Sequence, residues 1–286
     1  DLTAAVTLEG FRGNLSALSE AVNRVHHRPG QRTVAARIRA HLHGSKLWSE
    51  GEARFLQDPL SFRAMSQIHG AMAETAERSE EIWNQELNTV NDNPIIDPET
   101  GGPNSHANMD STRLTLTLDT LRQAVAKLGD LSGERIQKLQ WPTFSGLPAG
   151  LAEGDGHAVG GVQFLNLGHI AASLATSLKI WARPHLLISV GQVADGVEDT
   201  SGHAFHAVHD LNRQLETSWK VVAIELSIAI WAIQRRGIPT SQLGVGVRKA
   251  YEKICPLLPI RNEGEEQFNL AVVIDAAKSL IEDDDF

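Results

Sequence analysis

Apolar residues recur at three- and four-residue spacing through long stretches free of glycine and proline, and period-two alternation is nearly absent. The pattern predicts helices rather than strands. The longest such stretch runs from His203 to Arg236, about 34 residues or roughly 50 Å if fully helical. Leu215, Trp219, Val222, Leu226, Ala229 and Ile233 form one stripe along it, with Val221, Ile224, Ile228 and Trp231 beside them. A helix apolar on most of its circumference is buried among other helices, so this one is expected at the centre of a large bundle.

Two further long helices are expected. One starts near Pro59 and runs to about Asn91, carrying Phe62, Met65, Ile68 and Met72 and then Ile82, Trp83, Leu87 and Val90. Asp58 suits its N-cap, Pro59 its first turn, and Gly70 inside it is a mild cost. Asn93-Pro94 blocks its continuation. The other starts at Asp110 and runs to Leu128 or beyond, with Leu114, Leu118, Leu121, Val125 and Leu128 in its stripe. A fourth helical stretch covers about 159–183, and shorter helices follow Gly237. The segments 97–109, 141–158 and 184–202 hold the Gly, Pro, Asn and His residues and read as loops. No repeat or flexible linker divides the chain, which reads as one all-α unit over residues 1–286.

Composition narrows the function. The formal net charge of −9, with basic residues scattered, argues against nucleic-acid binding. A single cysteine, Cys255, excludes an intrachain disulfide and a Cys-based zinc site, and it fits a reducing compartment such as the cytoplasm. No apolar run approaches a membrane span.

Three places could carry chemistry. Arg63 falls about one turn inside a helix start, where free N–H groups favour anions, and could grip a carboxylate with two hydrogen bonds. Alternatively it pairs with Asp58 or a nearby glutamate. Asn91-Asp92-Asn93-Pro94 reads as a helix stop with Asx-turns, or as amides directed into a pocket. Glu198-Asp199-Thr200-Ser201 precedes the central helix. Thr200 or Ser201 would cap that helix, and Glu198 could serve as an acid, a base or an amine ligand. His203, His206 and His209, together with His26-His27 and His41/His43, lack the carboxylate or cysteine partners of a zinc motif, so no metal is expected. The GxG within LGVGVRKAY at 243–251 follows no strand and does not read as a dinucleotide site.

Several longer motifs point to a family. QDPLSFR at 57–63 resembles QDxYSLR of the aromatic amino acid ammonia-lyases and aminomutases. ELNTVNDNPIID at 86–97 resembles ELNSVNDNPLID of the phenylalanine type, and MDSTRL at 109–114 resembles MDNTRL. SGLPAGL at 145–151, RPGQRTVAARIRAHLHGS at 28–45, Glu198-Asp199 and LGVGVRKAYEKI at 243–254 also match, in order along nearly the whole chain. The resemblance implies the helical bundle shared with the fumarase/aspartase group, a tetramer whose active sites draw on more than one subunit, and elimination or migration of an amino group. It implies that Arg63 holds the substrate carboxylate, that Gln57 and Asn91 are pocket polar groups, and that Glu198 is a catalytic carboxylate.

The resemblance also carries departures. The family's electrophile, 4-methylidene-imidazol-5-one, forms from an internal Ala-Ser-Gly, and this sequence contains none. In the family that triplet lies in the N-terminal half. The expectation is therefore a C-terminal half, a fragment or a separate subunit, inactive alone, with the prosthetic group supplied by an N-terminal-half partner. The alternative is a non-catalytic helical subunit that stabilises such a complex. Leu60 replaces the tyrosine of QDxYSLR, Val197 the glutamine of the NQED that bacterial members carry where Glu198-Asp199 falls, and the family's glycine-rich loop is shortened to GGPNSHANMD with Ser105 near the position of its aromatic residue.

Overall fold

The computed structural model describes residues 1–152, 159–188, 191–258 and 269–282. Helices dominate them. In chain order these are α1 (Leu2–Phe11), α2 (Glu20–Arg24), α3 (Pro29–His41), α4 (Leu60–Arg63), α5 (Met65–Leu87) and α6 (Thr112–Gln140). They continue with α7 (Pro142–Ser145), α8 (Val159–Ile180), α9 (Ala204–Arg235), α10 (Val245–Ile254) and α11 (Leu270–Glu282). The only strands among the described residues, β1 (Ile95–Ile96) and β2 (Pro103–Asn104), form a two-residue antiparallel pair in the loop after α5.

The expected central helix is α9, packed by α1, α6, α8 and α11. Every residue from Ala223 to Ile233 is buried, as the all-round apolar pattern predicts. Its first half differs. There Leu211, Gln214, Thr217 and Val221 face inward, while Leu215 stays exposed. The Lys278 ammonium of α11 lies 5.6 Å from the centre of the Trp219 ring. Gln214 is polar on an inward face because it links two neighbouring helices. Its amide donates to Leu178 O at 2.7 Å and to Arg122 O at 3.1 Å.

The helix expected from Pro59 to Asn91 is broken near its start. Ala64 (φ −99°, ψ 15°) separates the single turn α4 from α5. Asp58 does not cap it; Pro59 occupies the N-cap position and the Asp58 side chain turns inward. Among the described residues, no helix is long and apolar enough to cross a membrane.

Gly70 has a different role from the mild cost read from the sequence. A Cβ on it would lie 2.4 Å from Gln31 N and 2.6 Å from Gly30 C, because α3 and α5 touch backbone to backbone here. In an open helix Gly→Ala stabilises by about 1 kcal/mol. Here Gly70→Ala is expected to destabilise by about 1–3 kcal/mol, the usual cost of overpacking. The shift of the urea midpoint measures it, and an unchanged or raised midpoint would contradict the close approach.

Candidate functional site

The segment 57–63 divides its residues between two faces. Asp58, Ser61 and Phe62 are buried, whereas Gln57, Leu60 and Arg63, three apart, point outward. Phe62 anchors the turn by stacking on Phe11 with ring centres 3.9 Å apart. The buried Asp58 carboxylate accepts the Asn14 N–H at 2.5 Å, and the Asn14 side-chain amide donates to Leu56 O at 2.8 Å and to Phe55 O at 3.3 Å. Burial pushes the Asp58 carboxyl up from its ordinary range, against the pull of the Asn14 N–H, Arg54 and Arg63.

On the outer face, with the Gln57 amide oxygen turned toward the guanidinium, Gln57 accepts from Arg63 Nη1 at 2.9 Å and Nη2 at 3.3 Å. Among the described residues no carboxylate lies within ion-pair distance of Arg63, so the alternative of an Arg63 pairing with Asp58 or a glutamate is not what the structure shows. A neutral amide orients the guanidinium without cancelling its charge, leaving it able to take a carboxylate in two-point fashion. Leu60 is 64 % exposed beside it and supplies an apolar edge where the family motif has a tyrosine.

Beneath the turn lies a buried ion pair that sequence reading missed. Arg135 donates from Nε to Glu225 Oε1 at 2.5 Å and from Nη2 to Oε2 at 2.8 Å. Thr7 and Ser132 donate hydroxyls to the same carboxylate. Arg135 Nη1 reaches Ser61 O at 3.3 Å, tying the pair to the turn that carries Arg63. Burial pushes the Glu225 carboxyl up, but Arg135 and the two hydroxyls outweigh it and hold the group below its ordinary range.

His69 sits beside this pair, with Nδ1 3.4 Å from Asp1 Oδ1. Burial first, and then the Arg135 charge, hold the imidazole well below its ordinary value of 6.5. The unfolded chain therefore binds this proton more readily than the folded one. Stability should fall as pH drops below 6.5 and level off once the folded group also protonates. Urea unfolding between pH 7 and pH 5 should show a shallower fall in a His69→Gln variant; an identical slope would remove His69 as its source.

The remaining candidates stand at the other end of the bundle. Asn91 follows α5 and lines a cavity of about 270 Å³ with Trp83, Met109, Ser111, Leu114 and Val208. Asn93 Oδ1 accepts the His106 N–H, 13 residues on, at 2.9 Å, a contact across the loop rather than the local Asx-turn expected. Glu198 is exposed, its backbone exchanging two 3.1 Å hydrogen bonds with Val193. Neither Thr200 nor Ser201 is the N-cap of α9. That position is His203, in the left-handed region at φ 54°. His206 stacks on His185 and meets His203 at a tilt of 41°, and His185 Nε2 meets Asp210 Oδ2 at 2.9 Å. Among the described residues no group of three or more His, Cys, Asp or Glu is arranged to hold a metal.

One chain does not bring the candidates together. Arg63 precedes α5 and Asn91 follows it, so the helix of 23 residues sets them about 35 Å apart along its axis. Glu198 belongs to the Asn91 end: Gly202 packs on Ser111 and Thr112, at the start of α6, and Ser111 lines the Asn91 cavity. The two motifs that resemble the family most closely therefore lie at opposite ends of one helix and do not form a single wall.

Comparison with known proteins agrees with this architecture. The sequence profile of the family described as aromatic amino acid lyase matches residues 1–255. The histidine ammonia-lyase of Natranaerobius thermophilus is 33% identical over 282 residues, covering 98% of this chain and 54% of its own length. That of Deinococcus radiodurans is 33% identical over 92% of this chain and 49% of its own. Among solved structures, ergothionase from Treponema denticola superposes with a TM-score of 0.87 at 30% identity, covering 98% of this chain and 55% of that one. Histidine ammonia-lyase from Trypanosoma cruzi gives 0.82 at 28% identity, covering 99% and 52%. The chain thus spans about half the length of the relatives it matches.

These matches correct the expectation of a C-terminal half or non-catalytic subunit, inactive alone, that takes its prosthetic group from an N-terminal-half partner. The family profile and the relatives run along nearly the whole chain, and none of them points to a second kind of subunit. Within the described residues α1, α3, α6, α8, α9 and α10 share one continuous buried core. The chain belongs to the aromatic amino acid lyase family.

Proposed function

We propose that the protein removes ammonia from an α-amino acid, with Arg63 holding the substrate carboxylate. The observation that carries this reading is the guanidinium oriented by Gln57 and left without a counter-carboxylate on an exposed turn. In such an elimination the Cα–N bond breaks, a proton leaves Cβ, and an α,β-unsaturated carboxylate and ammonia result. Arg63 and Gln57 fix one end of the substrate, and Leu60 offers an apolar surface beside it. Glu198 is the carboxylate that faces the amine, and Asn91 is a pocket amide. The family's prosthetic group needs an Ala-Ser-Gly that this sequence does not contain, so the residues present do not fit its formation.

The separation of Arg63 from Glu198 and Asn91 favours a site shared between copies of this chain. Exposed Leu87, Val90, Val197 and Phe205 give the Asn91–Glu198 end an apolar surface for such packing. Mixing Arg63→Ala chains with Glu198→Gln chains should then restore ammonia release that neither variant shows alone. Mixed assemblies that remain inactive would contradict a shared site. We also place the protein in the cytoplasm, as its single cysteine suggests; recovery in another cell fraction would contradict that.

A further inference from the structure

A second, separate cleft opens behind the Gln57–Arg63 turn. It has a volume of about 400 Å³ and is lined by Arg12, Lys46, Arg236, Glu9, Glu52 and Gln242, among others. Its cations come from three element ends. Arg12 follows α1 in a left-handed conformation at φ 58°, Lys46 lies in the turn after α3, and Arg236 follows α9.

Their contacts orient them and neutralise them only in part. Arg236 Nε donates to Gly10 O at 2.7 Å, and its Nη2 donates to Ser145 O. Arg12 Nε donates to Glu52 O at 2.9 Å, and neighbouring Arg54 donates to Phe144 O at 2.6 Å. These acceptors are backbone carbonyls, which carry no net charge. Among the described residues Glu52 is the one carboxylate within ion-pair distance of these cations, at 2.9 Å from Arg12 and 3.3 Å from Lys46. Glu9 accepts the Gly244 N–H at 2.9 Å, and burial pushes its carboxyl up against the pull of Ser45 and the Gly244 N–H. Burial, followed by the charges of Arg54 and Arg12, pushes the Arg236 guanidinium down to about 10. Positive charges are thus packed together in excess of the carboxylates beside them.

We propose that this cleft binds the phosphate group of a small phosphomonoester, held between Arg12, Lys46 and Arg236. A dianion offset by one ammonium and two guanidiniums from different directions suits a tetrahedral phosphate better than a planar carboxylate. The volume, within the usual range for small-ligand sites, leaves room for an organic remainder. The cleft is of small-molecule size and lies on an acidic chain with scattered basic residues, which argues against a polymeric polyanion. It adjoins the loop that carries Gln57: Arg54 N donates to Arg12 O at 3.0 Å, and Asn14 holds Phe55, Leu56 and Asp58.

Calorimetric titration of the protein with inorganic phosphate and with methyl phosphate, at fixed ionic strength, tests this. Saturable binding of both at one per chain is expected. It should weaken about tenfold or more in Lys46→Gln, whose half-exposed side chain can change without disturbing the core. It should persist in Arg63→Ala and in Arg32→Gln, a substitution in a different basic groove. Circular dichroism confirms that each variant is folded. Absent binding, or equal binding by Lys46→Gln, overturns the site. Loss of binding in Arg63→Ala places the anion at the amino-acid site instead, and acceptance of inorganic phosphate with refusal of methyl phosphate overturns the ester. None of these readouts requires ammonia release, so failure here is separate from failure of the proposed activity.

Discussion

Truncation of Glu225 to alanine is expected to lower the unfolding free energy by about 3–5 kcal/mol, the range for leaving one member of a buried ion pair without its partner. The carboxylate is 1 % exposed and accepts from Arg135, Thr7 and Ser132. Removing it strands the Arg135 guanidinium in a core built from α1, α6 and α9. Urea denaturation with linear extrapolation measures the loss. Replacing both members, Arg135→Met with Glu225→Leu, should recover most of it, because no charge then remains uncompensated. A single-variant loss below about 1 kcal/mol, the scale of an exposed pair, would contradict a dry pair at this position. The double variant should still bind substrate less well, since Arg135 also donates to Ser61 O in the turn that presents Arg63.

Arg63→Ala is expected to weaken amino-acid binding by about 1.5–3 kcal/mol, the value of hydrogen bonds to a charged group, or roughly tenfold to a hundredfold. Stability should hardly change, because the side chain is exposed and Phe62 and Asp58 anchor the turn from the other face. Gln57→Leu should produce a smaller loss, since it removes the orienting amide and keeps the charge. Equal affinity of the wild type and Arg63→Ala would remove the carboxylate role.

The bundle was legible because helix-forming patterns are local. The apolar face of α9 and the stripes of α5 and α6 repeat at 3.6-residue spacing, and the stop at Asn93-Pro94 follows from backbone chemistry alone. Contacts between distant elements were not legible. Asp58 reads as a cap, but Asn14, 44 residues earlier, draws it inward. Gly70 reads as a weak point, whereas it marks where two backbones touch. Glu225 left one visible trace, a lone carboxylate inside VVAIELSIAI, and its partner Arg135 lies 90 residues away. Arg63 and Gln57 could be picked out because both sit in one short motif. Their distance from Asn91 and Glu198 could not, because motif order along a chain says nothing about which end of a bundle each motif reaches.

Recognition of a substrate carboxylate by Arg63 is tested most directly by a binding cycle with α-amino acids and their carboxamides, measured by calorimetry on wild type and Arg63→Ala. The amino acid that binds most tightly is expected to bind the wild type more tightly than its carboxamide by about 1.5–3 kcal/mol, and this difference is expected to disappear in Arg63→Ala. A preference for the carboxylate that survives in Arg63→Ala would contradict it.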